Sequence, residues 1–259
     1  MTETALITGA SNGIGLELAK IHAQKGGNLV LVARSEDKLA QLAYELESQY
    51  GIKAWVIAQD LAQPNAAQTI FETTEAQGIT VDTLINNAGF GGHGRFFERE
   101  LIKEQQMIQV NITALTELTH FYLKGMVERR RGKILNVSST AGFLPGPLQA
   151  VYYATKAYVT SFSQAIAEEV AEFGMTVTAL CPGAVATGFV NAGDLQGVDA
   201  WKNAKSAQSV AEYGYKAMEK GELVAFNEGK LKFALEWIIP LLPRKMLLKA
   251  SRKAMEKSR

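Results

Sequence analysis

The first fifteen residues constrain the fold most, because a short apolar strand runs into a glycine-rich turn and then into a helix. Thr4-Ala5-Leu6-Ile7 has the pattern of a buried strand, and the turn that follows has the spacing G-x-x-x-G-x-G. Beyond the turn, Ile14, Leu18 and Ile21 recur at helical spacing. A strand, a tight turn and a helix N-terminus together place backbone N–H groups where they can bind a pyrophosphate. We therefore expect a dinucleotide to bind Gly9, Ser11, Asn12, Gly13, Ile14 and Gly15, although such turns also occur without a ligand.

A second informative stretch, residues 132–156, combines a strand, a loop and the start of a helix. Residues 133–137 form an apolar strand pattern that ends in two serines, and Tyr152 and Lys156 stand four residues apart on a helix. A lysine beside a phenol favours the phenolate, so we expect the pKa of Tyr152 to fall below its ordinary value of about 10. A serine hydroxyl at the strand end can bind a substrate carbonyl, and together these groups suit carbonyl reduction. Taken alone, the pair also fits a half-buried tyrosine beside a solvated lysine.

Six motifs in order along residues 4–226 resemble those of the short-chain dehydrogenase/reductase family, in its branch of roughly 250 residues with a Tyr-x-x-x-Lys pair. They are the glycine-rich turn, Asp60-Leu61, Asn86-Asn87-Ala88-Gly89, Asn111, the Ser139/Tyr152/Lys156 set and Pro182-Gly183-x-x-x-Thr187. The resemblance implies a doubly wound, Rossmann-type α/β sheet of about seven parallel strands with helices on both faces. It also implies a reversible reaction between a ketone and a secondary alcohol.

The resemblance assigns roles to individual residues. Ser139 would hold the carbonyl oxygen, Tyr152 would donate the proton, and Lys156 would bind the nicotinamide ribose and depress the tyrosine pKa. Asn111 would support a relay water, which completes the catalytic set. The other cofactor-binding residues implied are Asp60 and Leu61 at the adenine, Asn87, Ala88 and Gly89 at its ribose, and Pro182, Gly183, Val185 and Thr187 around the nicotinamide amide and pyrophosphate.

Arg34 stands just past the second predicted strand, at the position that distinguishes NAD from NADP. An acid there would bind the ribose hydroxyls of NAD, whereas an arginine accommodates a 2′-phosphate. We therefore expect NADP(H) as the cofactor. Asn12, where many NADP-using members carry a basic residue, weakens this expectation slightly, and Arg34 could instead pair with Glu36 or Asp37.

Composition narrows the class of protein further. The chain has 259 residues, 47% hydrophobic and 20% charged, with a formal net charge of +1. A net charge this small gives no reason to expect nucleic acid as a partner. The single cysteine, Cys181, fits a reducing compartment, and the N-terminus shows no signal segment, so we expect a cytoplasmic protein. No His, Cys and carboxylate cluster has metal-ligand spacing, so no metal is expected.

Two segments depart from a plain nucleotide-binding domain. Residues 188–206 contain apolar residues between glycines and resemble the family's variable substrate lid, which indicates a hydrophobic substrate. We assign residues 1–230 to the oxidoreductase domain and residues 231–259 to an amphipathic helical tail of the same domain. From Leu231 onward the chain has eight basic and two acidic residues. This tail could contact a membrane peripherally, or it could fold over the substrate cleft or a partner subunit.

The sequence as a whole predicts an NADP(H)-dependent carbonyl reductase or secondary-alcohol dehydrogenase that acts on a hydrophobic ketone. Ketoacyl, steroid-like and aryl ketones all fit an apolar lid. An NAD-linked alcohol dehydrogenase and a non-catalytic dinucleotide-binding module are the alternatives. Apolar faces on the helices around residues 98–130 and after Tyr152 suggest a homo-oligomer, either a dimer or a tetramer.

Overall fold

A seven-stranded parallel sheet forms the centre of the computed structural model, which describes residues 2–257 except for the side chain of Ala200. Its strand order is β3-β2-β1-β4-β5-β6-β9. The strands are β1 (Thr4–Thr8), β2 (Asn28–Ala33), β3 (Ala54–Ala58), β4 (Thr83–Asn86), β5 (Lys133–Val137), β6 (Thr176–Leu180) and β9 (Val224–Ala225), and a separate two-stranded ladder pairs β7 (Val185–Ala186) with β8 (Lys205–Ser206). The predicted Rossmann-type sheet is confirmed.

Within residues 2–257, ten α-helices connect these strands and continue into the tail. They are α1 (Gly13–Gln24), α2 (Glu36–Tyr50), α3 (Ala66–Ala76), α4 (Leu101–Ile108), α5 (Leu115–Glu128), α6 (Ala150–Val170), α7 (Phe189–Ala192), α8 (Ala207–Glu219), α9 (Gly229–Phe233) and α10 (Arg244–Met255). A π-helical segment, Gln109–Ala114, joins α4 to α5, so the predicted helical stretch from Glu98 to Arg130 is nearly continuous but begins with a 3-10 turn.

The core consists of two layers because alternate strand residues point to opposite faces of the sheet. Ala5 and Ile7 of β1 pack with the buried residues of α1, α2 and α8. Leu6, between them, packs on the other face with buried residues of α3 and α5. The β-branched and leucine-rich strands therefore read as continuous apolar runs, as expected for a parallel sheet covered on both sides.

The direction of strand succession reverses at β1, which has β2 on one side and β4 on the other. The crevice outside the carboxyl ends of the strands at such a reversal is where α/β sheets bind ligands. The edge strand β9 is short, because only two of its residues pair with β6.

The tail consists of short helical segments. Residues 229–241 form α9, a π-helical segment and a 3-10 turn, and α10 follows directly after Pro243. The last two residues of the predicted tail lie outside the described residues. Among residues 2–257, no helix is both long enough and apolar enough to cross a membrane.

Candidate active site

One cavity of about 890 Å³ runs along the carboxyl edge of the sheet from Arg34 to Tyr152. Most residues that the sequence singled out line it: Gly9, Ser11, Asn12, Gly13, Ile14, Arg34, Asp60, Leu61, Asn87, Ala88, Gly89, Ser139, Tyr152, Lys156, Pro182, Gly183, Val185 and Thr187. Gly15 and Asn111 lie behind this wall and support it. The fold therefore collects residues from six separate loops at one edge of the sheet.

The glycine-rich turn closes tightly because its glycines meet backbone and side-chain atoms directly. Gly9 and Gly13 adopt φ of +67° and +57°, in the left-handed region that favours glycine. A Cβ at Gly15 would lie well inside van der Waals contact of the Gly9 carbonyl oxygen and the Asn87 amide. Asn12, the N-cap of α1, makes no side-chain capping bond to the described chain, which leaves the first N–H groups of the helix available to an anion.

Thr8 and Asn87 hold the ends of β1 and β4 together beneath this turn. The Thr8 hydroxyl oxygen accepts hydrogen bonds from the backbone N–H groups of Asn87 and Ala88, each at 3.0 Å. The Asn87 Nδ2 donates to the Thr8 carbonyl at 2.9 Å. This brace fixes the floor of the cavity next to the glycine-rich turn.

Arg34 and Asp60 occupy the end of the cavity farthest from Tyr152. Arg34 is exposed, and none of the ion pairs among residues 2–257 involves it, so the structure shows no pairing with Glu36 or Asp37. Asp60 accepts a hydrogen bond from the Ala62 backbone N–H at 3.0 Å, which is an ordinary turn contact. One of its carboxylate oxygens is therefore engaged, while Arg34 presents its charge to solvent and to the cavity.

Ser139, Tyr152 and Lys156 meet at the opposite end. The Ser139 Oγ accepts from the Ala141 N–H at 3.1 Å, which fixes the side chain at the end of β5. The Lys156 Nζ donates to the Val137 carbonyl at 2.8 Å and lies 5.8 Å from the centre of the Tyr152 ring. The first turns of α6 thus bring both side chains beside the carboxyl end of β5.

The pKa of Tyr152 differs in direction from the sequence expectation. Burial raises the pKa of Tyr152, and a hydrogen bond with Ser139 offsets part of this rise. Burial also lowers the pKa of Lys156 to about 8. The expected lowering of the tyrosine pKa by Lys156 is therefore wrong for this state of the protein, because burial of the phenol is the dominant effect and the hydrogen bond with Ser139 offsets only part of it. Tyr152 is held protonated.

Asn111 supports the wall from the π-helical segment. Its Nδ2 donates to the Phe90 carbonyl at 3.0 Å and to Thr155 Oγ1 at 3.1 Å, while its Oδ1 accepts from the Phe90 N–H at 3.1 Å. A Cβ at Gly89 would lie 3.0 Å from the Asn111 Oδ1 and 3.4 Å from the Lys156 Nζ. The absence of a side chain at Gly89 thereby leaves room for both polar groups beside it. π-Helical turns like the one that carries Asn111 are frequent at functional sites.

The lid and the tail enclose the substrate end. Phe189 of the lid lies 5.3 Å from the Tyr152 ring, and Trp201 stacks on Phe189 at 6.5 Å. Met255, near the end of α10, packs in the same buried cluster and lines the cavity. Of the three roles considered for the tail, the structure shows its last helix covering the cleft.

Sequence reasoning did not single out Met255 or Gln149 as lining residues, whereas Trp201 falls within the predicted lid, residues 188–206. Met255 lies about a hundred residues after Tyr152, and no local pattern marks it as part of the site. Gln149 stands three residues before Tyr152, at the N-cap of α6, and this position is the only sequence signal that could have identified it. Within the described chain, no three His, Cys, Asp or Glu residues are grouped so that they could hold a metal ion.

Known proteins resemble this chain in both sequence and structure. A very-long-chain 3-oxoacyl-CoA reductase from Anas platyrhynchos is 37% identical over 189 residues, which cover 71% of this chain and 60% of the relative. A short-chain dehydrogenase from Sphingobium yanoikuyae, solved with NADPH, superposes with a TM-score of 0.81 at 29% identity, covering 93% of this chain and 97% of the other. A 3-oxoacyl-[acyl-carrier protein] reductase from Brucella melitensis, solved with NAD, gives 0.74 at 25% identity, covering 86% and 88%.

The match to that relative leaves a large part of it uncovered, since the chain spans about 60% of its length. The family assignment does not depend on this relative alone. The family model described as "short chain dehydrogenase" matches residues 3–195, which include the glycine-rich turn, Asn111 and the Ser139/Tyr152/Lys156 set. The chain therefore belongs to the short-chain dehydrogenase family of oxidoreductases.

Proposed function

We propose that this oxidoreductase is an NADP(H)-dependent carbonyl reductase that converts a hydrophobic ketone to a secondary alcohol. One observation carries the proposal: a single cavity joins a phosphate-binding turn and Arg34 at one end to Ser139, Tyr152 and Lys156 at the other. A cavity whose lining extends from Arg34 to Tyr152 suits a dinucleotide, whose adenosine and nicotinamide ends lie far apart. A hydrophobic substrate pocket continues from the nicotinamide end.

The residues present fit a nicotinamide dinucleotide. The N-terminus of α1 and the glycine-rich turn would hold the pyrophosphate. The turn also packs closely on Thr187, because a Cβ at Gly13 would meet the Thr187 side chain at 3.1 Å. Asp60 and Leu61 would contact the adenine, and Asn87 to Gly89 its ribose. Val185 and Thr187 would contact the nicotinamide amide. The bound cofactor supplies the hydride, and the protein supplies orientation and the proton.

The proton comes from Tyr152. Its raised pKa keeps the phenol protonated over the physiological range, so it can donate to the carbonyl oxygen as that oxygen becomes an alkoxide. Ser139 donates a hydrogen bond to the same oxygen and orients it. Lys156, with a pKa of about 8, stays charged at neutral pH and stabilises the phenolate that remains. Asn111 holds the Phe90 loop beside this group and would anchor the relay of the next proton.

Arg34 supports NADP(H) over NAD(H). It is exposed at the cavity rim, no ion pair among residues 2–257 involves it, and a guanidinium binds a phosphate bidentately. The Sphingobium structure was solved with NADPH and the Brucella structure with NAD, so related chains use both nucleotides. The free charge of Arg34 is the reason for choosing NADP(H) here.

The substrate end favours an apolar ketone, because Phe189, Trp201 and Met255 form its walls. The 3-oxoacyl-CoA reductase activity in the name of the duck relative is compatible with this surface. Steroid-like and aryl ketones also fit it. We therefore propose the class of hydrophobic ketones as a whole at this stage.

The neighbouring tyrosines provide the test. Tyr152→Phe should lower the rate of ketone reduction with NADPH by at least about a hundredfold, as expected for loss of a general acid, while NADPH still binds. Tyr153→Phe is the matched control, because Tyr153 points toward Ser251 of the tail, and it should retain most activity. Loss of turnover in Tyr153→Phe with activity kept in Tyr152→Phe would refute the assignment.

Two alternative functions predict different outcomes when the same rates are measured with NADH as well as with NADPH. An NAD-linked alcohol dehydrogenase would turn over faster with NADH and NAD⁺ than with the phosphorylated nucleotides. A non-catalytic dinucleotide-binding module would bind nucleotide but reduce no ketone in any variant. The intact set of Asn111, Ser139, Tyr152 and Lys156 favours the enzyme.

We also propose that the tail touches a membrane surface peripherally. Trp237 and Leu241 are 67% and 84% exposed, and Phe233 and Ile238 are exposed beside them. The basic residues of α10 follow directly, and an apolar, Trp-bearing segment next to lysines suits an anionic interface. The native chain should co-sediment with vesicles containing phosphatidylserine, and a Trp237→Ser, Leu241→Ser variant should not. Equal sedimentation of both would refute this contact.

A homo-oligomer is proposed from a second exposed apolar surface. Leu101 and Ile102 of α4, Ile108 at its end and Tyr158 of α6 are all exposed, and they lie on helices of the same face of the sheet. Proteins commonly bury an exposed apolar surface of this kind against a second copy of the same chain. Light scattering should give a dimer or tetramer for the native chain and a monomer for Leu101→Lys, Ile102→Lys. A native monomer would refute the proposal.

A further inference from the structure

Arg99, just before α4, and Glu104, within it, form an ion pair that is largely removed from water. The Arg99 Nε donates to the Glu104 Oε1, Glu104 is 4% exposed, and the Arg99 side chain is 17% exposed. Taking two charges out of water is unfavourable, and apolar side chains of similar volume often replace such a pair without loss of stability. The pair is therefore better explained by what the guanidinium holds in place.

The Arg99 guanidinium also holds the loop that follows β4, residues 90–94. Its Nη1 donates to the His93 carbonyl at 2.9 Å. A Cβ at Gly92 would overlap the guanidinium, so the guanidinium lies directly against the backbone of the loop. Arginine can bind the loop and Glu104 at once because its N–H donors are arranged in a rigid planar fork. The ion pair thus ties the loop to α4.

The same loop contacts both the catalytic tyrosine and the tail. A Cβ at Gly91 would lie 3.3 Å from the Tyr152 ring and 2.8 Å from the Phe189 ring, so the loop backbone packs against both side chains. The His93 Nε2 donates to the Met255 carbonyl at 2.7 Å. Met255 is the last residue of α10, and its carbonyl has no partner within the helix. His93 therefore caps the C-terminus of α10.

The end of α10 is also where the tail meets the lid. Val198 of the lid pairs with Lys257 in a single β-bridge, and the Lys257 Nζ donates to the Asp194 carboxylate at 3.0 Å. Met255 packs in the same buried cluster as Val198 and lines the cavity. His93 thus fixes the point at which the tail and the lid close over the substrate end.

We propose that Arg99 is a positioning residue that acts through His93 to hold α10 and the lid over the substrate end. The inference rests on the proposed ketone reduction and identifies a determinant of its specificity. Arg99, Glu104 and His93 act without touching the reacting atoms. Loss of this contact leaves the chemistry of Tyr152 intact and weakens the binding of long apolar ketones most, because these extend from Tyr152 toward Met255.

Two variants break the contact in different ways. Arg99→Met combined with Glu104→Met removes both charges, so that neither is left buried and unpaired. His93→Leu leaves the ion pair in place and removes only the hydrogen bond to α10, so it decides the question if the double variant does not fold. His93→Gln tests rescue, because its amide N–H can donate to the Met255 carbonyl.

Hydrogen exchange tests the positioning of α10 without any substrate. Exchange of the amides of residues 244–255 should be at least about tenfold faster in the double variant and in His93→Leu than in the native chain, because α10 opens locally more often. The amides of α2 should keep their native rates. A general loss of stability would accelerate exchange in both helices, so this comparison separates positioning from a purely structural role.

Steady-state kinetics at saturating NADPH test the consequence for substrate binding. In both variants the KM for 2-dodecanone should rise at least about fivefold, with kcat within about twofold of the native value. The kcat/KM for 2-butanone should change less than about twofold, because this ketone has no long apolar chain. His93→Gln should restore most of the native KM. A smaller fraction of folded enzyme would instead lower kcat and leave KM unchanged.

Arg95→Met combined with Glu98→Met is the matched control. Arg95 and Glu98 form an ion pair at the preceding 3-10 turn, and both side chains are 55% exposed. Removing this pair should leave the exchange of α10 and the kinetics with both ketones unchanged.

Three results in whichever variant folds would overturn the inference: native exchange rates in α10, equal acceleration of α10 and α2, or a native KM for 2-dodecanone. An equal effect of the control would overturn it as well. Failure of the native chain to reduce either ketone with NADPH or NADH would instead overturn the proposed function, and hydrogen exchange would still decide whether Arg99 and His93 hold α10.

Discussion

Lys156 is the residue whose titration should limit the reaction at high pH. Its pKa of about 8 means that the side chain is charged below this pH and neutral above it, whereas the raised pKa of Tyr152 keeps the phenol protonated throughout. The kcat/KM for ketone reduction should therefore fall above about pH 8, by up to tenfold per pH unit. A rate profile from pH 6 to 10 measures this.

Lys156→Arg provides the comparison, because a guanidinium remains charged over the whole range. Whatever activity it retains should show no inflection near pH 8. A native profile that stays flat to pH 9.5 would show that the charge of Lys156 is not required.

Burial explains which properties of single residues could not be predicted from the sequence. The spacing of Ser139, Tyr152 and Lys156 could be read from the chain, since it depends on one strand end and one helix. The direction of the Tyr152 pKa could not, because it depends on how completely the lid and neighbouring loops enclose the phenol. The Gln149 Nε2, which has no partner among residues 2–257, could not be predicted for the same reason, since a missing partner is visible only when the neighbours are placed.

At the scale of elements, the glycine-rich turn should tolerate no side chain at Gly15. A Cβ there meets the Gly9 carbonyl and the Asn87 amide, so Gly15→Ala must move the start of α1 away from the ends of β1 and β4. We expect the free energy of unfolding to fall by about 1–3 kcal/mol, as for other overpacked sites, and NADPH affinity to fall with it. Urea unfolding and fluorescence titration measure the two effects.

Gly229→Ala is the control for this substitution. A Cβ at Gly229 has nothing within 4 Å, so the alanine should leave both quantities within experimental error. NADPH binding by Gly15→Ala that matches the native chain would contradict the account of the turn.

The last helix of the tail should contribute to substrate binding. The Ser251 Oγ donates to the Pro145 carbonyl at 2.8 Å, and a hydrogen bond of 2.7 Å joins the His93 Nε2 to the Met255 carbonyl, so α10 is fixed to two loops of the site. Met255→Ala should lower kcat/KM for a hydrophobic ketone by about tenfold, through lost apolar contact. Steady-state kinetics at saturating NADPH tests this.

Met246→Ala serves as the reference on the same helix, because Met246 is half exposed and faces away from the cavity lining. It should leave kcat/KM near the native value. Equal effects of the two substitutions would argue that residues 231–257 are not part of the catalytic domain as proposed. This placement was open from the sequence, since an amphipathic basic helix suits a membrane, a partner and a cleft equally.

For the whole molecule, the order of the strands and helices was the feature most readily predicted from the sequence. Each apolar run of four to six residues had to be covered on both faces of the sheet. The glycine-rich turn identified β1 as the strand next to the nucleotide site. Both features predicted a doubly wound sheet, which the structure confirms. The association state did not follow, because it depends on surfaces that match only another copy. The exposed residues of α4 and α6 identify such a surface without naming the number of subunits.

Cofactor preference can be measured as the ratio of initial rates with NADPH and NADH, using hydrophobic ketones, on the native chain and on Arg34→Glu. Lys38→Glu, which changes the same charge on the exposed side of α2, serves as the control. We predict faster turnover with NADPH than with NADH in the native chain and in Lys38→Glu, and faster turnover with NADH in Arg34→Glu. Equal or faster native turnover with NADH, unchanged by Arg34→Glu, would contradict this prediction.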